Sequence, residues 1–295
     1  MDVVVFGAGS LGSLVGGLLA REHDVTLVGR DPHVAAVRER GLRVTGAFAF
    51  TVHPAARTDP PASADLAVVT VKAFDTPAAA AALADCDLDA CLSLQNGMGN
   101  EERLAAALDC PVLAGTCTYG ARLDEPGVVE CTGVGEVALG PREGGESVAA
   151  DRVASAFDTA GVVTDLADDM PRRLWEKLAV NAGINAVTAL ARVENGALVD
   201  GPASEVAADA AREVAAVARE QGVDLPDVTA VAAVERVAEA TAANTSSMLQ
   251  DVEAGRRTEV DAISGYVAER ADQRVPVTAT LARLLRAWER GRGVR

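Results

Sequence analysis

The sequence predicts an α/β domain in residues 1–166 followed by an all-α domain in residues 167–295. Two observations support this division. The first part alternates short apolar runs, rich in β-branched residues, with helical segments, as expected for a parallel sheet covered by helices. Beyond Asp165 the strand patterns stop, and Ala-rich helical periodicity continues to the last residue. A chain of 295 residues is long enough for two such domains.

The first strand runs directly into a glycine-rich turn. The stretch MDVVVFGAGSLGSLVGGLLARE begins with an apolar run, turns at Gly7 and continues as an apolar helix from Leu11. In this GxGxxG pattern Gly7 makes the tight turn, Gly9 lets the backbone approach a pyrophosphate, and Gly12 allows close packing of helix on strand. A second strand follows at Asp24 to Val28, so the pattern predicts a Rossmann-type dinucleotide-binding domain.

The end of the second strand bears on the choice of cofactor. Where an NAD enzyme places a carboxylate on the ribose 2′-hydroxyl, this chain has Arg30, and a guanidinium suits a 2′-phosphate. The alternative is that Asp31 faces the ribose and that Arg30 is a solvated loop charge. The residues therefore favour NADPH (NADP+) over NADH and leave the alternative open.

Two later strands also end in polar residues. The buried run from Asp65 to Val71 is followed by Lys72, with a helix opening near Pro77. The next strand, ACLSL, leads into QNGMGNEERL, where Asn96 opens a loop before a helix. Because ligands bind at the carboxyl ends of parallel strands, Lys72 and Asn96 are candidates for ligand contact. The alternatives are a surface lysine and an ordinary Asn-Gly turn.

The remaining strand signals of this half lie in three stretches. Residues 42–54 (LRVTGAFAFTVHP) are rich in β-forming residues. Residues 111–140 alternate short β runs with turns, which predicts a mixed or antiparallel edge of the sheet, and residues 162–166 (VVTDL) are its predicted last strand.

A long helix that should be buried carries three polar residues on one face. Within residues 172–196, Lys177, Asn181 and Asn185 fall inside roughly 80° of arc on a helix, while most other positions are apolar. One interpretation is a binding face, and the alternative is a pair of satisfied core amides beside a lysine that reaches water. Helices are predicted at 171–190, 202–221, 227–254, 258–272 and 277–290.

The composition excludes several classes of protein. The net charge of −16 would repel nucleic acid and anionic membranes, and no run of about 18 apolar residues occurs. All but two of the 27 basic residues are Arg, and the acidic excess resembles proteins of salt-loving cytoplasms; an ordinary acidic protein is the alternative. We therefore expect a soluble, cytoplasmic protein, either halophilic or simply acidic.

Neither the cysteines nor the histidines indicate a disulfide, a metal site or a catalytic role. The five cysteines lack CxxC spacing, which argues against disulfides and zinc and favours a reducing compartment, and we expect no metal site. His23, His33 and His53 lie outside every motif and are expected at the surface.

Together these motifs carry a resemblance that spans nearly the whole chain. GAGSLG, VKAF, QNGMGNEE, LWEKLAVNAGINAVTAL, ENG and NTSSMLQDVEAGRRTEVDAISG resemble the ketopantoate reductase (2-dehydropantoate 2-reductase) family. The resemblance implies a Rossmann domain and a helical domain with the active site in the cleft between them. It also implies NADPH-dependent reduction of ketopantoate to pantoate, a precursor of coenzyme A.

The resemblance assigns roles to residues at matching motif positions. It implies two catalytic residues, Lys177 and Glu259. Lys177 is the implied catalytic lysine, and Glu259 is the implied acidic residue that binds the substrate. The implied substrate-binding residues are Asn96, Asn181, Asn185, Asn195 and Ser247. The implied cofactor-binding residues are Gly7, Gly9, Gly12, Arg30, Lys72 and Asn96.

These residue types suit the reduction of a ketone. Hydride addition leaves negative charge on oxygen, and an ammonium such as Lys177 supplies both a proton and a positive field. The enzyme alternative is a reductase of another branched 2-keto acid. A non-enzymatic nucleotide sensor is disfavoured because Lys177 and Glu259 are both present. The expected partner is a small 2-keto acid, and the sequence leaves the oligomeric state open, a homodimer being one alternative.

Overall fold

The computed structural model describes residues 1–295 and divides them into two compact units. The first unit holds Met1–Gln95 and Asn100–Met170, and the second holds Asn96–Gly99 and Pro171–Arg295. All strands lie in the first unit, and the second is built from helices and their connections. The predicted class, an α/β part followed by an all-α part, is confirmed. None of the helices combines the length and the apolarity needed to cross a bilayer.

The first unit contains twelve strands and five complete helices. The strands are β1 (Asp2–Phe6), β2 (Asp24–Val28), β3 (Leu42–Gly46), β4 (Phe50–Val52), β5 (Ala55–Arg57), β6 (Ser63–Val69), β7 (Asp87–Ser93), β8 (Val112–Cys117), β9 (Gly120–Glu125), β10 (Val128–Gly133), β11 (Val137–Pro141) and β12 (Thr164–Leu166). The helices are α1 (Ser10–Leu19), α2 (His33–Arg40), α3 (Thr76–Leu83), α4 (Asn100–Ala105) and α5 (Val148–Thr159), with a 3₁₀ turn at Ala73–Asp75.

Eight strands form the main sheet, in the order β12-β11-β8-β7-β6-β1-β2-β5. Neighbours from β5 to β8 are parallel, whereas β11 runs antiparallel to β8. Within β1, Val3 and Val5 join one apolar cluster and Val4 joins another. This alternation identifies a strand that is buried on both faces. Because β1, β2, β6 and β7 are parallel, the turns that follow them lie at one edge of the sheet, where Rossmann-type proteins bind dinucleotides.

The stretch 111–140 forms the predicted mixed edge of the main sheet only in part: β8 and the antiparallel β11 lie there beside β12, but the prediction is wrong for β9 and β10. These two strands join β3 and β4 in a separate sheet with the order β4-β3-β10-β9. The physical reason lies in α1, whose residues from Gly12 to Leu19 are all buried. A helix that is apolar on all sides needs cover on more than one face. The second sheet provides it, since a Cβ on Gly17 would lie 3.0 Å from Val44.

Other boundaries in this unit differ slightly from the prediction. The strand expected at 65–71 spans Ser63–Val69, and β12 at Thr164–Leu166 is the edge strand expected at 162–166. Helix α5 was not predicted, although Ser147 precedes it as a side-chain cap and accepts a hydrogen bond from the Ala150 amide.

The second unit contains six helices. They are α6 (Met170–Ala191, beginning at the last residue of the first unit), α7 (Pro202–Glu220), α8 (Asp227–Ala240), α9 (Ser247–Glu253), α10 (Tyr266–Arg270) and α11 (Pro276–Arg292). A 3₁₀ turn spans Asn195–Leu198, and a π-helix spans Asp261–Gly265.

Two helices predicted in this unit are wrong in extent. The helix predicted at 227–254 is interrupted between α8 and α9, where the carbonyls of Ala242 and Asn244 accept hydrogen bonds from the amides of Gly196 and Asn195. These bonds take carbonyl groups that a continuous helix would use internally. The helix predicted at 258–272 begins as the π-helix, in which the Gly265 amide donates to the Val260 carbonyl at 2.7 Å.

Candidate active site

The glycine-rich turn after β1 has the geometry of a phosphate site. Gly7 has φ +115°, and a Cβ there would lie 2.7 Å from the Val71 amide nitrogen. A Cβ on Gly12 would lie 2.2 Å from the Gly7 carbonyl oxygen. Only glycine therefore fits at positions 7 and 12. Gly9 is different, since the nearest atom to its Cβ position is 4.0 Å away. That open space lets a ligand approach the backbone at Gly9.

The first turn of α1 is suited to an anion. It begins after Gly9 with no side-chain cap and carries no acidic residue in its first turn. Amide groups at a helix N-terminus carry partial positive charge and lack partners within the helix. These residues therefore fit the pyrophosphate of a dinucleotide.

Arg30 and Asp31, the two neighbours at the end of β2, have different surroundings. The Arg30 side chain is 89% exposed, and its Nη2 lies 3.4 Å from an oxygen of Asp75. The carboxylate of Asp31 accepts a hydrogen bond from the Ala35 amide at 3.1 Å, within the first turn of α2. Asp31 therefore has a local structural role. Arg30 extends into solvent at the same edge of the sheet as the glycine-rich turn.

A buried amide that was not predicted, that of Gln95, joins the turns after β6 and β7. Gln95 donates from Nε2 to the Val71 carbonyl at 3.0 Å and to the Thr76 hydroxyl at 2.7 Å. The Thr76 hydroxyl in turn donates to Asn100 at 2.9 Å. Lys72, half-buried, lies beside this network at the start of the 3₁₀ turn. The signal in the sequence was the Gln directly after the strand, one residue before Asn96.

The polar face of α6 is present in the second unit. Lys177 and Asn181 are half-buried and Asn185 is buried, at successive turns of one helix. The side-chain nitrogen of Asn181 is buried and has no hydrogen-bond partner. A buried donor without a partner is costly, so Asn181 has a hydrogen bond available for a ligand or a water molecule.

Thr188 continues this face and was not predicted. Its hydroxyl donates to the Ile184 carbonyl at 2.8 Å and lies 2.7 Å from the Ser246 hydroxyl. Ser246 caps α9 by accepting from the Leu249 amide. Ser247, the predicted substrate residue, is therefore the exposed first residue of a helix that Thr188 holds against α6.

The other predicted residues of the second unit have distinct environments. Glu259 is buried, with 6% of its surface exposed, between α9 and the π-helix. Asn195 is also buried, and its Nδ2 donates to the Thr241 hydroxyl at 2.9 Å while its Oδ1 has no partner. Asn96 begins the short segment Asn96–Gly99, in which the Met98 amide donates to the Ala262 carbonyl at 2.9 Å.

The expectation that all histidines lie at the surface is wrong for His33. Only 5% of His33 is exposed, and its Nδ1 accepts from the Gly127 amide at 3.1 Å. Its Nε2 lies 3.0 Å from the Ser13 hydroxyl, so the ring joins α1, α2 and the turn between β9 and β10. Burial lowers the pKa of His33, which favours the neutral ring. The polar neighbours that satisfy it are distant in sequence, so no local pattern indicated burial.

The five cysteines are free, and no three His, Cys, Asp or Glu side chains gather as a metal site would require. Burial raises the pKa of the Cys91 thiol and disfavours the thiolate.

A parallel sheet with a glycine-rich turn that fits a phosphate, followed by a helical unit with a lysine and amides on one helix face, defines a class: a two-unit dinucleotide-dependent oxidoreductase. The comparisons identify the family within that class. Residues 3–144 match the family described as "Ketopantoate reductase PanE/ApbA", and residues 169–289 match "Ketopantoate reductase PanE/ApbA C terminal". The chain belongs to the ketopantoate reductase family.

Similar proteins cover the whole chain. The 2-dehydropantoate 2-reductase of Halobacterium salinarum is 47% identical over 98% of this chain and 99% of its own length. That of Archaeoglobus fulgidus is 41% identical over 98% of both chains. The crystal structure of a ketopantoate reductase from Ralstonia eutropha has a TM-score of 0.91 at 35% identity, covering 99% of this chain and 100% of that one. A D-mandelate dehydrogenase shares the fold, with a TM-score of 0.93 at 24% identity and full coverage of both chains.

Proposed function

We propose that this protein is a 2-dehydropantoate 2-reductase that reduces ketopantoate to pantoate with NADPH. Family membership and full-length relatives of that activity support the reaction. The observation that carries the proposal is the unpartnered amide nitrogen of Asn181, one helical turn from Lys177. A donor and a cation at this spacing suit the adjacent carboxylate and ketone oxygens of a 2-keto acid.

The first unit binds the cofactor in this proposal. The Gly7–Gly12 turn and the open N-terminus of α1 hold the pyrophosphate, and Arg30 meets the 2′-phosphate. When bound, the nicotinamide supplies a hydride to the keto carbon. The Arg30 guanidinium, whose present partner is the single carboxylate of Asp75 at 3.4 Å, would exchange a weak exposed ion pair for charge-assisted bonds to a phosphate.

The second unit supplies the proton and holds the keto acid. Lys177 donates a proton to the ketone oxygen as negative charge develops there, which yields the hydroxyl of the product. Asn181 and Asn185 donate hydrogen bonds without adding charge, so that Lys177 remains the only ammonium on this face. The buried carboxylate of Glu259 accepts a hydrogen bond from the terminal hydroxyl of ketopantoate.

The charge of the chain makes these local cations necessary. A net charge of −16 repels an anionic keto acid and a cofactor with several phosphates. The only two lysines of the sequence are Lys72 and Lys177, and both stand at positions assigned to ligands. At molar salt the repulsion is screened within a few ångströms, on the order of 3 Å, whereas direct contacts with Lys177 persist.

The test is a panel of substrates in high salt. Oxidation of NADPH and of NADH is followed with ketopantoate, with its deoxy analogue in which hydrogen replaces the terminal hydroxyl, and with other branched 2-keto acids. The proposal requires the highest kcat/KM for ketopantoate with NADPH. A higher value for an acid without the hydroxyl would favour the alternative, a reductase of another branched 2-keto acid, and would leave Glu259 without its assigned partner.

A further inference from the structure

A buried glutamate on α11 fixes the segment that carries Glu259. The side chain of Glu289 has no exposed surface, and its Oε1 accepts hydrogen bonds from the Thr258 amide at 2.8 Å and the Thr258 hydroxyl at 2.6 Å. The Thr258 hydroxyl also accepts from the Val260 amide at 3.3 Å. The amides on both sides of Glu259 are thus bonded to a single cluster of oxygens.

The charge of Glu289 is balanced from a second direction. Its Oε2 receives a hydrogen bond from Arg295, and Arg295 also pairs with Asp261, the first residue of the π-helix. Asp261 accepts from Arg286 Nε at 2.8 Å. Residues 258 and 261, which flank Glu259, are therefore both tied to α11 and to Arg295.

A buried ion pair is a poor way to gain stability, because apolar side chains of the same volume often stabilise a fold at least as well. Such groups are better explained where they specify one conformation. Here the conformation they specify is that of the backbone around a buried carboxylate, only 6% exposed, that is assigned to the substrate.

We propose that Glu289, acting through Thr258, is a positioning residue for Glu259, and that this pair determines how strongly the site distinguishes a 2-keto acid with a terminal hydroxyl from one without it. The inference rests on the proposed function, because Glu259 is assigned the hydroxyl there. A group held in place before binding loses less entropy when it forms its hydrogen bond, so a loosened Glu259 discriminates less.

The readout is a ratio, kcat/KM for ketopantoate divided by kcat/KM for its deoxy analogue. Thr258→Val removes the hydroxyl at nearly constant volume, and Thr258→Ser restores it. Glu289→Met removes both acceptor oxygens and keeps the volume. Leu285→Ala, also buried on α11, is the matched control, because it destabilises the helix packing without touching these bonds.

We expect the wild-type ratio to be about tenfold or more, the scale of one hydrogen bond to a charged group. In Thr258→Val and Glu289→Met the ratio should fall by about threefold to tenfold, mainly through a higher KM for ketopantoate, while the KM for NADPH is unchanged. Thr258→Ser and Leu285→Ala should keep the wild-type ratio, although Leu285→Ala lowers the melting temperature. If Glu289→Met does not fold, the difference in ratio between Thr258→Val and Thr258→Ser is the test of the proposal.

Three outcomes would overturn the inference. A wild-type ratio in Thr258→Val, with Glu259→Ala showing a collapsed ratio, would mean that Glu259 needs no support from this pair. A loss of the ratio in Leu285→Ala equal to that in Thr258→Val would reduce the network to general stability. A wild-type enzyme that prefers the deoxy analogue would contradict the proposed function itself, and with it this inference, before any variant is compared.

Discussion

Gly97 lies so close to Ala262 that a Cβ on Gly97 would come within 2.6 Å of both the Cβ and the carbonyl oxygen of Ala262. The neighbouring Met98 amide donates to the same carbonyl at 2.9 Å. Gly97 also has φ +80°, a conformation that side chains disfavour. The loop that contains Asn96 therefore packs against the π-helix that follows Glu259. The two predicted site residues Asn96 and Glu259 are thus both adjacent to the contact between Gly97 and Ala262.

We predict that Gly97→Ala lowers both stability and activity. The left-handed conformation alone costs about 1–2 kcal/mol with a Cβ, and the contact with Ala262 must also open. Gly255→Ala is the matched control, because Gly255 has φ +63° but nothing within 4 Å of its Cβ position. The melting temperature and kcat/KM for ketopantoate should both fall further in Gly97→Ala than in Gly255→Ala. Equal effects of the two substitutions would contradict a role for the Ala262 contact.

Asn181→Ala should separate binding from stability. The side-chain nitrogen of Asn181 is buried without a partner, so removing it takes away a cost in the free protein and should leave the melting temperature unchanged or higher. The KM for the keto acid should rise by about tenfold, the scale of one lost hydrogen bond to a charged group. A lower melting temperature with an unchanged KM would instead make Asn181 a structural amide.

His33 gives stability a dependence on pH. Because burial lowers its pKa, the unfolded chain binds the proton more readily than the folded one. Its contribution is fully present above the ordinary value of 6.5 and is lost as pH falls below it, by up to about 1.4 kcal/mol per pH unit, until the folded pKa is reached.

His33→Asn is the variant to compare, because an amide oxygen replaces Nδ1 as acceptor for the Gly127 amide without titrating. Between about pH 7.5 and about pH 5.5, in the range where histidine titrates, the wild type should lose more thermal stability than the variant. Parallel losses in both proteins would show that the pKa of His33 is the same in the folded and the unfolded chain, which would contradict the effect of burial.

Cofactor choice should depend on Arg30 and its carboxylate partner. A guanidinium–phosphate pair corresponds to about 1.5–3 kcal/mol, or about one to two decades of preference for NADPH. Arg30→Ala should remove most of that preference at a fixed salt concentration. Asp75→Asn should raise it, since the carboxylate 3.4 Å from Arg30 competes with the phosphate. An unchanged NADPH to NADH ratio of kcat/KM in Arg30→Ala would make the guanidinium a bystander.

The parts of the fold that depend on local sequence were predictable. The strand at Asp24–Val28 was predicted to the residue, and the glycine turn followed from requirements that Gly7 and Gly12 impose on their immediate surroundings. The second sheet was not predictable in the same way. Its pairing of β3 with β10 joins Val44 to Val129 across a long stretch of chain, and period-2 patterns do not specify a distant partner.

The residues of the candidate site also divide into those that local sequence predicts and those that depend on tertiary contacts. Lys177, Asn181 and Asn185 were visible because helical periodicity puts them on one face. Gln95, Thr188 and Glu289 were missed because what distinguishes each is a tertiary hydrogen bond, to Thr76, Ser246 and Thr258 respectively. The break between α8 and α9 was missed for a related reason: no Gly or Pro marks it, and amides from the Asn195 turn take the carbonyls there.

The most direct test of the central claim is the turnover of Lys177→Ala with ketopantoate and NADPH, beside Arg172→Ala, an exposed cation on the same helix. Loss of the general acid should cut kcat by at least about a hundredfold, with the KM for NADPH unchanged, and Arg172→Ala should match the wild type. Near-normal kcat in Lys177→Ala, with the fold intact, would contradict the proposed role of Lys177 as the general acid of ketopantoate reduction.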